Sequence, residues 1–248
     1  MITKYIGDKQ FWKVLLKLAL PIAFQNLLLS SLALVDTLMV GQLGDISLSA
    51  IGMAAQWSWL MNLVLFGIGS ATALFISQYW GIKDMKGIRR AYGIATVSTV
   101  IASLIFALIA FFTPETIMKI FNRTPAVVAE GVSYLRYAAF SYTATALTSI
   151  LAIVLRSTEK VKLPMYISVA TTLINVVLNY GMIFGKLGLP QMGVAGAAAA
   201  TAISSWLGLV LMLIISFFEK NILIASPKEL FAFKKKHIIS FYKKATPV

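Results

Sequence analysis

The sequence contains no cysteine and only one histidine, His237. These absences exclude disulfides and thiolate metal sites, and they leave no histidine-based metal site or catalytic triad available. Charged residues are also scarce, at 12% of the 248 residues, whereas about one-quarter of a soluble domain is charged. With 59% hydrophobic residues and a mean hydropathy of +0.84, the composition favours an integral membrane protein.

Long apolar runs predict an all-α membrane protein with six spanning helices. The first run would form a helix of roughly 45 Å, more than the ~30 Å needed to cross a bilayer core. Residues 1–13 are predicted to be a polar N-terminal segment, residues 115–124 a polar connection, and residues 219–248 a basic linker. The six predicted spans, numbered in chain order, cover about residues 14–44, 46–81, 88–112, 126–157, 162–184 and 192–218.

The distribution of lysine and arginine predicts the orientation of these spans. The N-terminus, the connections after spans 2 and 4, and the tail carry 18 of the 22 basic residues, and the opposite side carries four. We therefore expect both termini of the segment to lie in the cytoplasm. The same bias explains the net charge of +13 without a nucleic-acid partner, and it leaves contact with anionic lipid as a secondary role.

Asp36 is the one charged residue between Lys17 and Asp45 in span 1. A carboxylate at the centre of a membrane helix costs about 2.5–3.5 kcal/mol on insertion scales, and such residues usually face protein or water. Asp36 is therefore the first candidate for a binding residue.

Three further polar residues are predicted to lie at a similar depth, roughly 8–14 Å below the outer surface at helical rise. They are Asn175 and Asn179 in span 5 and Thr201 in span 6. Span 5 carries a polar stripe at helical spacing, and Gln25 lies three turns before Asp36 on one face of span 1. Two such stripes are typical of helices that line a water-filled cleft; the span 5 stripe consists of Ser168, Thr172, Asn175 and Asn179.

The residues alone leave the role of this cluster open. The asparagines and Thr201 could serve only as interhelical packing contacts, and Asp36 could be a buried acid without a transport role. Alternatively, the carboxylate could exchange a proton, or bind a transient Na⁺ together with carboxamide and hydroxyl oxygens. No permanent metal and no cofactor other than such a proton or Na⁺ is expected.

The end of the chain resembles the start of span 1. Lys17, Ala19 and Pro21 match Lys243, Ala245 and Pro247, which predicts that a seventh helix begins there and that the first six belong to a repeat. Further segments resemble the multidrug and toxic compound extrusion (MATE) family over almost the whole chain. They are VDTLMVGQLGD (35–45), LRSTEKVKLPM (155–165) and NVVLNYGMIFGKLGLPQMGVAGAAAATAIS (175–204).

The resemblance implies an exporter of two six-helix lobes, with this chain similar to the N-terminal lobe alone. It implies that Asp36 is the acidic site of span 1, Pro21 its bending proline, Asn175 and Asn179 the polar pair of span 5, and Thr201 a polar position of span 6. Thr172 and Gln25 are expected to line the cleft. Asn179 is a departure, because some branches carry aspartate there.

The leading hypothesis is an antiporter lobe that exports amphipathic or cationic compounds in exchange for Na⁺ or H⁺. Its expected partners are a C-terminal six-helix lobe or a second copy of this lobe, the lipid bilayer and small-molecule substrates. The alternatives are a flippase for lipid-linked sugars, for which several basic cleft residues would be expected, and a non-transporting remnant or assembly partner. An enzyme is not expected, because Asp36 has no second acid or histidine as an obvious catalytic partner.

Overall fold

The computed structural model describes residues 9–233 and 235–245, and within them the secondary structure is entirely helical. The prediction of an all-α membrane lobe is confirmed, because six of the helices are long and apolar enough to span a bilayer. The helices are α1 (Lys9–Gly41), α2 (Asp45–Gly81), α3 (Met85–Phe112), α4 (Pro114–Phe121), α5 (Pro125–Ser157), α6 (Lys162–Phe184), α7 (Val194–Phe218), α8 (Pro227–Leu230) and α9 (Lys235–Ala245).

Helix α5 forms the centre of the bundle, where it packs against α2, α3 and α7. In its most apolar stretch 61% of the residues are buried inside the protein, compared with 6% for α1. Helix α1 lies at the periphery and contacts mainly α6, which in turn packs along α7. The lobe therefore has an interior of large apolar side chains around α5 and a separate, more polar seam where α1 meets α6.

The connection predicted at residues 115–124 is mostly helical, because α4 covers Pro114–Phe121. Pro114 occupies the first turn of α4, where a missing backbone N–H costs nothing. Ile117 and Met118 are buried, and Met118 packs over Gly131 of α5. On the exposed face, Lys119 Nζ lies 2.5 Å from Glu115 Oε1, and this contact lowers the pKa of Glu115. Helix α4 thus lies on the surface as a short amphipathic element.

A tight turn brings α7 back beside α6. Gly185 ends α6 in the left-handed conformation (φ 68°), which only glycine adopts at low cost. The Met192 N–H then donates to the Met182 carbonyl at 2.8 Å. A Cβ on Gly196 would lie 2.5 Å from the same carbonyl oxygen, so the start of α7 packs directly on backbone. This close approach sets the position of the polar residues further along α7.

The tail after α7, predicted to be a basic linker, packs on the lobe through α9. Phe241 of α9 is 1% exposed and stacks on Phe75 of α2 at 5.7 Å between ring centroids. Tyr242 Oη donates to Ser98 Oγ of α3 at 2.6 Å. The proposed start of a seventh helix remains a prediction, because Pro247 lies outside the described residues.

Candidate functional site

A cleft of about 410 Å³ opens between α1, α5, α6 and α7. Its wall is mostly hydroxyl, carboxamide and aliphatic side chains. Among the described residues that line it, two are charged, Asp36 and Arg156. The lining includes Gln25, Asn26, Leu29, Leu32, Asp36, Thr145, Thr148, Ser149, Arg156, Ser168, Thr171, Thr172, Asn175, Thr201, Ser204, Ser205 and Met212.

Asp36 lies at the wall of this cleft and is half-buried. Its Oδ1 accepts a hydrogen bond of 2.5 Å from Asn179 Nδ2 across the interface between α1 and α6. The second hydrogen of that amide nitrogen goes to Asn175 Oδ1, at 2.9 Å and one turn earlier on α6. Asn179 lies outside the cleft lining, and both N–H donors of its amide hold side chains that line the cleft, Asp36 and Asn175.

Asn175 continues this chain of hydrogen bonds to α7. Its Nδ2 donates to Thr201 Oγ1 at 3.3 Å and to Ser204 Oγ at 3.2 Å. Both hydroxyls donate back to carbonyls of their own helix, that of Ala197 for Thr201 and that of Thr201 for Ser204. A continuous polar network therefore runs from the carboxylate on α1 through two asparagines on α6 to two hydroxyls on α7.

Within the described part of the chain, the network has one fully buried acceptor without a donor. Asn179 is fully buried, and its Oδ1 has no hydrogen-bond partner there. Thr172 Oγ1 is also buried without a partner. A carboxylate together with neutral carboxamide and hydroxyl oxygens is the ligand type that hard cations prefer. The site can therefore hold a proton on the carboxylate or a small cation among these oxygens.

A second polar contact links α1 to α6 eleven residues earlier on both helices. Gln25 is buried, and its Nε2 donates to Ser168 Oγ at 2.5 Å. Its Oε1 accepts from Arg156 Nη2 of α5 at 2.6 Å. Equal spacing along both helices means that α1 and α6 run parallel and in register, joined at two levels.

The structure places the sequence-predicted residues as follows. Asp36, Asn175, Asn179 and Thr201 share one network, while Gln25 and Thr172 line the same cleft. Pro21 lies inside α1, and this helix is continuous from Lys9 to Gly41. Their binding roles remain predictions, as does the bending role of Pro21.

Sequence reasoning missed Ser204, and it counted Arg156 among the basic residues at the connection after span 4. Ser204 lies three residues after Thr201, which is a helical spacing that could have identified it. For Arg156 the only signal was its position one residue before the end of α5, from which a long side chain can reach inward as easily as outward.

Comparison with known proteins shows which family the chain belongs to. The model of the MatE family matches residues 21–181, which is well over half of the chain. The chain belongs to the MATE family. It is 29% identical over 199 residues to a probable multidrug resistance protein NorM of Thermotoga maritima, an alignment that covers 79% of this chain and 42% of the relative. It is 27% identical over 242 residues to an uncharacterized transporter, YisQ, of Bacillus subtilis, covering 97% and 52% respectively.

Solved MATE structures have the same fold. The crystal structure of the Vibrio cholerae MATE transporter VcmN in its bent form superposes with a TM-score of 0.81 at 22% identity, over 93% of this chain and 51% of that one. A MOP superfamily transporter from Pyrococcus furiosus gives a TM-score of 0.82 at 18% identity, over 93% and 50%. The chain thus spans about half the length of the MATE proteins that it matches, and it corresponds to their six-helix N-terminal lobe.

Proposed function

We propose that this MATE lobe forms half of an antiporter that exports amphipathic, often cationic, compounds from a bacterial cytoplasm in exchange for Na⁺ or H⁺. The observation that supports this proposal is the Asp36 carboxylate at the cleft wall, held by Asn179 in a membrane-spanning helix. Intramembrane carboxylates are costly, and they are typical of ion and substrate pathways. The names of two relatives, both described as multidrug resistance or transporter proteins, agree with such a role.

The coupling would act through competition at Asp36. A cation bound by the carboxylate and the neighbouring oxygens would oppose the binding of a cationic substrate at the same end of the cleft. Since a ligand shifts a conformational equilibrium only if it binds the two states differently, ion binding must favour one arrangement of α1. Rocking of this lobe against a second one would then expose the cleft to each side in turn.

The proposal places the lobe in the cytoplasmic membrane with both ends of the segment in the cytoplasm, and it requires a partner lobe. The intact mass of the protein purified from its native membrane tests the nature of that partner. A mass of about twice 27.1 kDa would indicate a second lobe on the same polypeptide. A mass near 27.1 kDa would instead favour a second copy of the chain, and cross-linking between cysteines placed in α1 would then be expected.

Replacement of Asp36 tests the proposed function itself. In proteoliposomes that contain the natural protein, Asp36→Asn is expected to abolish efflux of a fluorescent cationic dye driven by a Na⁺ or pH gradient, because the neutral amide cannot exchange a cation. Insertion and yield should be retained.

Asp45→Asn is the matched control, because Asp45 is exposed at the start of α2 and lies outside the cleft lining. An unaltered gradient-driven rate in Asp36→Asn would refute the assignment. A protein with no gradient-dependent dye movement in any variant would favour the non-transporting alternative.

A further inference from the structure

The two charged residues of the cleft are in different electrostatic situations. Asp36 is engaged by Asn179, whereas Arg156 forms no salt bridge within residues 9–233 and 235–245. The Arg156 Nη2 donates to Gln25 Oε1, and its Nε is buried without a hydrogen-bond partner in that part of the chain. Among the described residues, the guanidinium thus faces a neutral amide and has no counter-charge.

A half-buried guanidinium usually has an anionic partner, because the loss of hydration must be offset. Arg89 shows the ordinary case in the same chain, since it pairs with Glu229 of α8. The α5 face that carries Arg156 into the cleft also carries Ser149 and Ala152, and neither is acidic. Arginine presents a planar set of N–H donors that matches a carboxylate in two parallel hydrogen bonds.

The two charged residues of the cleft, Arg156 and Asp36, lie at different levels along α1. Arg156 reaches α1 at Gln25, and Gln25 precedes Asp36 by eleven residues on the same helix. At helical rise these two levels are about 16 Å apart. An elongated amphipathic molecule could therefore place a basic group towards Asp36 and an acidic group at the opposite end.

We infer that Arg156 is the anion-recognising position of the cleft and that it binds the acidic group of zwitterionic amphiphiles. This inference rests on the proposed function, because it assigns a substrate class to the same cleft. Gln25 acts as a positioning residue: its own hydrogen bond to Ser168 orients the oxygen that holds the guanidinium. An incoming carboxylate occupies the donors that Gln25 leaves free.

The test compares two dyes that differ in one functional group. Rhodamine 110 carries a free carboxylate, and rhodamine 123 is its methyl ester. Binding of each dye to the purified natural protein is measured by fluorescence anisotropy in the same detergent. We expect the wild-type protein to bind the acid about tenfold or more tightly than the ester, because a charge-assisted pair is lost on esterification. Arg156→Gln is expected to bring this ratio close to one while the ester keeps its affinity.

Two variants separate charge recognition from packing. Arg156→Lys keeps the positive charge and should retain part of the preference, which a purely structural role would not predict. Arg136→Gln removes an exposed arginine of the same helix outside the cleft lining and should leave the ratio unchanged. Thermal unfolding of each variant shows whether the lobe is intact.

The outcomes distinguish this inference from the proposed function. The inference would be overturned if Arg156→Gln kept the full preference for the acid, or if the wild-type protein preferred the ester. Neither outcome would contradict the proposal of gradient-driven export. A failure of both dyes to bind would overturn the export proposal and the anion position together.

Discussion

The hydrogen bond between Asp36 and Asn179 can be measured as a coupling free energy. The perturbation is a double-mutant cycle of Asp36→Ala, Asn179→Ala and the double variant, which isolates the pairwise contribution from the other effects of each truncation. Asn179 Nδ2 lies 2.5 Å from Asp36 Oδ1, and Asn179 is fully buried. Asp36 is half-buried and lines an open cleft, so water can partly replace the lost donor.

The expected coupling lies between two reference values. Hydrogen bonds between membrane helices average about 0.6 kcal/mol, with a maximum near 1.7 kcal/mol. Hydrogen bonds to charged groups in soluble proteins contribute about 1.5–3 kcal/mol. Because the acceptor is a carboxylate but water competes for it, we expect a coupling of about 1–2 kcal/mol. The bond should stabilise the docking of α1 on α6, because it joins these two helices.

Unfolding of the purified protein by titration with SDS in mixed micelles, followed by circular dichroism, provides the four free energies. The control cycle pairs Asp36 with Asn62, an exposed asparagine whose amide donates to the Ser58 carbonyl of its own helix at 2.9 Å. That cycle should show no coupling. A coupling of Asp36 with Asn179 that is no larger than in the control would refute the inference that this contact holds α1 in place.

Two further predictions concern packing. Gly196→Val should lower the free energy of unfolding by about 1–3 kcal/mol, because the new side chain collides with the Met182 carbonyl and separates α7 from α6. The same variant should weaken ion-dependent dye binding. Gly52→Val is the control, because a Cβ there meets open space, and equal effects of the two variants would contradict this account. Phe241→Ala should release α9 from the lobe and cost up to about 3–5 kcal/mol locally, the value for a buried phenylalanine. Amide hydrogen exchange in α9 should then rise, whereas Ile239→Ala, at a 57% exposed position of the same helix, should leave it unchanged.

The number and type of membrane spans could be predicted because long apolar runs exclude most other structures. Helix α6 was placed at residues 162–184, the range that the structure shows. Helix α1 begins at Lys9, five residues before the predicted start, since the polar first turns carry no hydropathy signal. Helices α4 and α9 were missed for a related reason: each is short, amphipathic and stabilised by its docking surface more than by its composition.

The candidate site could be predicted in part because depth and helical periodicity are properties of the sequence. They brought Asp36, Asn175 and Asn179 to one level, and the structure joins these residues by hydrogen bonds. The direction of a long side chain at a helix end is not such a property. Arg156 was counted as a marker of topology, whereas tertiary packing carries its guanidinium into the cleft.

The low burial of α1 has a consequence for how the protein is made. Lipid tails are as apolar as the side chains of a neighbouring helix, so a helix that is inserted in the bilayer gains little by exchanging one for the other. Within this lobe, 6% of the most apolar stretch of α1 is buried, and polar contacts at the levels of Gln25 and Asp36 join the helix to α6. Assembly after insertion and the proposed binding of the ion would then draw on the same few side chains. Cellular quality control would consequently degrade many variants of these positions before they could be assayed, so the abundance of each variant in the membrane should be measured together with its transport.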